Sequence, residues 1–246
     1  VSQNAQATEL PRVLLVGAGG VGAPAALAFA LSGEVSLTIV DDDVVELGNL
    51  HRQILFGDAD VGLAKAPTLA RALRERAPNL VVEAVEGRFL PDTAAELLAS
   101  TTIVLDGTDN FASRFLIADA CAQARVPVVH AAAIRLVATV LAVSASGQPC
   151  YRCVFEDLPE GPAPDCATAG VLGPVCGVAG AIGADWALAL ARGEDVGGQL
   201  ASYDATTGAL RTRRVKARSA CALCGTRQLE GLPIERYIGA ACGTRG

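Results

Sequence analysis

Gly17, Gly19, Gly20 and Gly22 stand in the stretch VGAGGVG, between an apolar run and a run of small residues. A strand that enters a helix through such a turn aims backbone N–H groups at the helix N-terminus, where a phosphate fits. Asp41 closes the next apolar run, 19 residues after Gly22, where a carboxylate can accept hydrogen bonds from ribose hydroxyls. Alone, this pattern leans toward a nicotinamide dinucleotide. The residues that follow pull the other way: Asp41 and Asp43 precede Asn49, Arg52 and Gln53, and Lys65 lies on the next helix. Arg offers phosphate oxygens a planar fork and Lys a compact charge, so two cations within 14 residues suit a triphosphate better. His51, beside them, reads as structural or exposed. Asp109, in DGTDN, falls at the carboxyl end of an apolar run, where open α/β sheets hold their ligands. Asp106 is the alternative carboxylate there, and a helix N-cap is the other use for either.

Cysteines form a second constellation. Cys150 and Cys153 make one C-x2-C pair and Cys221 and Cys224 another, with 67 residues between the pairs. Four thiolates close a tetrahedral zinc site of the structural kind, with no coordination position left open. Such a site would tie the end of a long strand to the C-terminal tail. Disulfides or a redox pair fit less well, since neither C-x2-C opens a helix within a βαβ unit. Cys166 stands at a loop-to-helix junction, where a helix N-terminus would lower its pKa; an inert loop cysteine is the other reading. Cys121 reads as core, Cys176 as buried in a small-residue helix, and Cys242 carries no argued role.

The elements that must position these residues follow from periodicity. Apolar runs at 12–16, 35–40, 80–86, 102–106 and 126–130 alternate with helical patterns at 20–32, 64–77, 92–99 and 110–124. Nearly continuous apolar strands between helices indicate a doubly wound, Rossmann-like α/β core, its mostly parallel sheet covered on both faces. Beyond His130, AIRLVATVLAVS reads as one longer strand and LPEGPAPD as a loop. AGVLGPVCGVAGAIGADWALALA reads as a buried helix, because Pro174 and Asp185 interrupt a membrane span. GQLASYDATTGALRTRRVKA reads as an antiparallel hairpin turning at 204–208. The expected organisation is one domain over 1–246, with a nucleotide-binding half at 1–131 and a second half at 132–246.

Composition narrows the class. Apolar residues are 51% and charged residues 19% of 246, a globular balance. A net charge of −6 and 4% aromatics exclude a general nucleic-acid binder or a base-stacking platform. VSQNAQATELPR has no leader pattern, and paired C-x2-C motifs suit a reducing compartment, so a cytoplasmic location is expected.

Together, GxGGxG, DDD, GNLHRQ, VGLAK, DGTDN, HAAAIR, PCYRC, CATAGVLGP and the final C-x2-C resemble the ThiF/MoeB/HesA family, relatives of the ubiquitin-activating enzymes. The likeness runs from Arg12 through nearly the whole chain and rests on no single motif. It implies adenylation by ATP, with Mg2+, of the C-terminal glycine of a small ubiquitin-like sulfur carrier of the MoaD or ThiS kind, serving molybdopterin, thiamine or related sulfur transfer. By the same resemblance, Gly17, Gly19, Gly20 and Gly22 hold the nucleotide backbone and Asp41 its ribose, with Asp43 beside it. Asn49, Arg52, Gln53 and Lys65 would line the phosphates, Asp109 and Asn110 would meet Mg2+ and nucleotide, and Cys166 matches a loop cysteine that can link to the carrier. Arg52, Lys65, Asp109 and Cys166 are then the candidate catalytic residues. The second half would bind the carrier and zinc and form a homodimer, which the Gly-rich helix and apolar surplus also suggest.

Some departures bear on that reading. Family members usually begin with a helical arm whose Arg reaches the partner's site; eleven residues precede Arg12 here, so the expectation is either a truncated chain or one trans cation fewer and a slower reaction. Ala118 stands where relatives carry Asn, and Val137, Ala138 and Thr139 where they carry Glu-Gly-Gln, which would alter the dimer or the carrier groove. The competing functions are an NAD(P)-dependent oxidoreductase and a relative that only binds nucleotide and a protein partner.

Overall fold

The structure, a computed structural model, describes residues 10–159, 170–225 and 229–237. Its first half alternates β1 (Arg12–Val16), α1 (Gly22–Ser32), β2 (Ser36–Asp41), α2 (Lys65–Arg76), β3 (Val82–Glu86), α3 (Ala94–Leu98), β4 (Ile103–Asp106), α4 (Phe111–Ala124) and β5 (Val128–Ile134). The second half carries β6 (Val137–Val143), a short α5 (Arg152–Phe155), α6 (Gly173–Ala191), β7 (Gln199–Asp204) and β8 (Ala209–Arg214). All eight strands share one sheet in the order β3-β2-β1-β4-β5-β6-β7-β8. Strands β1 to β5 are parallel, and β6 to β8 continue the sheet antiparallel.

The central strands explain both layers. On β1, Val13 and Leu15 face a core shared with α1, α2 and α6, while Leu14 and Val16 face α3 and α4. This two-sided burial is what near-continuous apolar strands require. Helix α6 is long and apolar enough to cross a membrane, yet half of it is buried, packed on α1 and on β4, β5 and β6. Its Gly and Ala content lets it lie close to them. The expected buried helix is the one observed, as is the β7–β8 hairpin.

One expected element is wrong. AIRLVATVLAVS is not a single strand: the chain turns at Arg135 and Leu136, and β5 and β6 pair antiparallel from Ile134 opposite Val137 to Val128 opposite Val143. Arg135 takes φ +51°, a left-handed conformation that no glycine announces in the sequence. As a result β5 continues past its pairing with β4, which ends at Asp106 and His130, and extends the sheet beyond the parallel strands' carboxyl ends.

Candidate functional site

The glycine turn sits between β1 and α1. Gly17 adopts φ +96°, and a methyl group on Gly22 would lie 1.8 Å from Gly17 O, so neither position accepts a larger residue without rebuilding the turn. Ala18 N–H donates to Asp41 Oδ2 at 2.6 Å, and Asp43 N–H donates to Asp41 Oδ1 at 2.9 Å. Asp41 therefore ties the turn to the end of β2. Burial raises its pKa above the usual carboxylate range, against the pull of those two N–H groups.

The segment after β2 folds back over this turn. A methyl group at Gly20 would stand 3.1 Å from the Arg52 side chain and 3.2 Å from Cys176 Sγ, and one at Gly19 would stand 3.8 Å from Gln53 Nε2. Gln53 is only 2% exposed, and its Oε1 is buried without a partner. A buried acceptor in that condition is costly and marks a place for a donor. Lys65 opens α2 with a side chain 7% exposed, donating to Asp43 Oδ2 at 2.8 Å. Asn49 is half-buried, and its amide donates to Glu46 Oε2 at 3.0 Å. His51 is exposed, its Nδ1 3.0 Å from Gly48 O.

The loop after β4 reaches the same edge. A methyl group at Gly17 would stand 3.0 Å from Gly107 O, so the two turns touch. Asp106 is buried beneath this loop, whereas Asp109 is exposed at its tip. Asn110 caps α4, its Oδ1 accepting Ser113 N–H at 2.9 Å. The glycine turn, Asp41, Arg52, Gln53, Lys65 and the loop bearing Asp109 thus all lie at the carboxyl edge of the parallel strands. Cys166 and Cys242 lie outside the described residues.

Cys150, Cys153, Cys221 and Cys224 come together, their Sγ atoms within 4.8 Å of one another. Sγ separations are 3.8 Å for Cys150–Cys153, 3.5 Å for Cys150–Cys221 and 3.3 Å for Cys153–Cys224. A tetrahedron with Zn–S near ~2.3 Å needs sulfurs about 3.8 Å apart, so this donor set fits zinc. Burial pushes Cys221 up, but hydrogen bonds from the N–H groups of Cys224 and Leu223 and from the Cys150 and Cys224 thiols together bring it down to about 7. Cys121 and Cys176 are buried, as expected.

Periodicity did not find two buried polar clusters. Arg152, between the first two cysteines, makes a bidentate pair with Asp119 on α4 at 2.8 and 2.9 Å, and Tyr237 donates to the same carboxylate at 2.8 Å. Asp106, Arg114, His130 and Tyr151 form the other cluster, behind the Asp109 loop. A histidine closing an otherwise apolar strand, and an arginine inside a buried helix face, were the signals available.

Comparison with known proteins identifies the family. The ThiF family's sequence profile matches residues 3–225. The SAMP-activating enzyme E1 of Haloferax volcanii is 40% identical over 230 residues, covering 92% of this chain and 85% of that protein. The adenylyltransferase and sulfurtransferase MOCS3 of Bos taurus is 41% identical over 221 residues, and that of Dictyostelium discoideum 35% over 218. The chain spans about half of these two, 48% and 51% of their length. Among solved structures, E. coli MccB with ATP superposes with a TM-score of 0.75 at 20% identity, over 87% of this chain and 67% of that one, a likeness of fold. The chain belongs to the ThiF family.

Proposed function

We propose that this chain uses Mg–ATP to adenylate the C-terminal glycine of a small ubiquitin-like sulfur carrier of the MoaD or ThiS kind. The observation that carries the reading is that Arg52 and Gln53 pack against the glycine turn, with Gln53 Oε1 buried and lacking a partner, while Lys65 pairs with Asp43 next to the Asp41 that holds that turn. The curated relatives named above are activating enzymes and adenylyltransferases. An NAD-dependent oxidoreductase needs an acid at the end of β2 and no pair of cations after it.

The chemistry follows from the charges. The carrier's terminal carboxylate is ionised at neutral pH and attacks the α-phosphorus of ATP without a general base, releasing pyrophosphate. The protein's task is in-line positioning and neutralisation of charge on the phosphates. N–H groups of the glycine turn cradle the phosphates, Asp41 holds the ribose, and Arg52 and Lys65 neutralise the leaving pyrophosphate. Asp109 is an exposed carboxylate beside that turn, with Asn110 next to it, a donor set that suits Mg2+ shared with phosphates. Bound there, Mg2+ supplies further charge neutralisation.

The sheet's open face supports a carrier seat. By register, Val137, Thr139, Ser202, Arg211 and Arg213 point to the side opposite α6, where Val137, Ser202 and both arginines are exposed. Exposed Leu31, Leu47, Ile54, Val61 and Leu63 support a homodimer. The zinc would be structural, and the location cytoplasmic.

The test is ATP–pyrophosphate exchange with purified MoaD-type and ThiS-type carriers ending in Gly-Gly. Exchange with one of them, lost when its terminal glycine is deleted, is expected. ATP binding with no exchange from either carrier would instead favour a nucleotide-binding relative, and retained NAD(H) an oxidoreductase.

A further inference from the structure

Behind the loop at 107–110 lies a buried cluster of residues to which no nucleotide or carrier role is assigned above. Asp106 is completely buried and sits opposite His130 in the parallel register of β4 and β5. Its Oδ1 accepts from Thr108 N–H at 3.0 Å and from Thr108 Oγ1 at 2.6 Å, which shapes the loop. Its Oδ2 is 2.7 Å from His130 Nδ1. Burial pushes the Asp106 carboxyl up, but Arg114 and the hydrogen bonds from His130 and Thr108 hold it below the usual range. An ionised carboxylate only accepts, so His130 donates Nδ1–H.

The other face of His130 is closed. Its ring centroid lies 4.5 Å from that of Tyr151, and Nε2 is buried with no partner. Arg114 completes the cluster, with Nη1 3.8 Å from Asp106 Oδ2 and Nη2 donating to Thr108 O and, at 2.9 Å, to Ala131 O. Thr108 is thus fastened through its N–H, hydroxyl and carbonyl, one residue before Asp109.

A buried histidine with an unpartnered nitrogen is an expensive way to fill space within an apolar strand. What it gives is division of labour on Asp106, with one oxygen for the loop and the other for His130. Without that donor, Oδ2 is left to Arg114 alone, and a carboxylate turned toward Arg114 releases Thr108. We infer that His130 is a positioning residue: through Asp106 it fixes the loop so that Asp109 meets the metal of Mg–ATP in one orientation. This rests on the reading of Asp109 as the metal-holding carboxylate. Groups that orient a carboxylate ligand from behind tune metal affinity about 10- to 100-fold.

The experiment is calorimetric titration of the full chain with ATP, with and without Mg2+, so it needs no carrier. His130→Leu fills the space without a donor, and His130→Asn restores an N–H near the Nδ1 position. Asp109→Ala serves as the reference. In His130→Leu the gain in ATP affinity on adding Mg2+ is expected to fall about tenfold, while Mg2+-free affinity stays within about twofold. His130→Asn is expected to recover most of that gain. An unchanged Mg2+ effect in His130→Leu, or no rescue by His130→Asn, overturns the inference. Should His130→Leu not fold, Thr108→Val removes the hydroxyl from the same clamp and must show the same selective loss. If Asp109→Ala leaves the Mg2+ effect intact, the reading of Asp109 fails and takes this inference with it. If Asp109→Ala shifts it and the His130 variants do not, the inference alone fails.

Discussion

Lys65 Nζ donates to Asp43 Oδ2 at 2.8 Å, with the lysine side chain 7% exposed and the aspartate 68% exposed. The buried cation is therefore aimed by a carboxylate that solvent can reach. Asp43 matters through Lys65, and the two substitutions should differ in size. Lys65→Ala is expected to lose ATP–pyrophosphate exchange on the order of 10²-fold with an unchanged circular dichroism spectrum. Asp43→Asn is expected to lose about tenfold or less, because the ammonium remains and only its orientation loosens. Equal losses would mean that Asp43 itself contacts the nucleotide.

Arg152 and Asp119 form a pair with both side chains buried. Removing one partner strands the other charge, so Arg152→Met should destabilise by roughly 3–5 kcal/mol. Arg152→Met combined with Asp119→Leu should recover part of that loss, although Tyr237 then loses its acceptor. Urea midpoints of the three proteins make the comparison.

The four-cysteine cluster predicts one zinc per chain, measured by elemental analysis of protein purified without added metal. Cys221→Ser should lower zinc content and Tm together, since a structural site's binding energy is folding energy. An unchanged Tm in metal-free protein would exclude a structural role.

Asp106 makes a prediction about acid. Its folded pKa lies below that of the unfolded chain, so its ion contacts contribute fully above the unfolded value. That contribution is lost as pH falls through the folded value, on the acid side of about 4. Between neutral pH and pH ~3 the wild type should lose more stability than Asp106→Asn, which starts lower but has no such carboxylate to protonate. Parallel curves of denaturation midpoint against pH would refute this.

Much of the sheet could be read from local pattern. Strand β1 falls at the expected residues because five apolar-rich positions precede a glycine turn, which constrains both strand end and helix start. The β5–β6 turn was illegible because Arg135 adopts a conformation that glycine would normally signal. At the site, Gly20 and Arg52 could be linked beforehand because the spacing of charges around a phosphate turn is a local pattern. The Asp106–His130 contact could not, since it depends on parallel register between strands separated by all of α4. Burial likewise separates Asp106 from Asp109, two carboxylates three residues apart that sequence alone treats as alternatives.

Strands β6 and β7 are neighbours in the sheet, yet everything from Ser144 to Gly198, including α6 and the first cysteine pair, intervenes between them. During synthesis that whole excursion must be made before β7 can pair with β6. The second cysteine pair emerges later still, after β8. A metal held by all four thiolates would therefore be captured late, and would fasten the beginning of the excursion to the segment that follows the final strand. Slow, non-local closure of this kind is where a growing chain is most exposed to misassembly. With metal bound, the cysteine cluster would work as a latch on completed folding, closing once the antiparallel half of the sheet has been laid down.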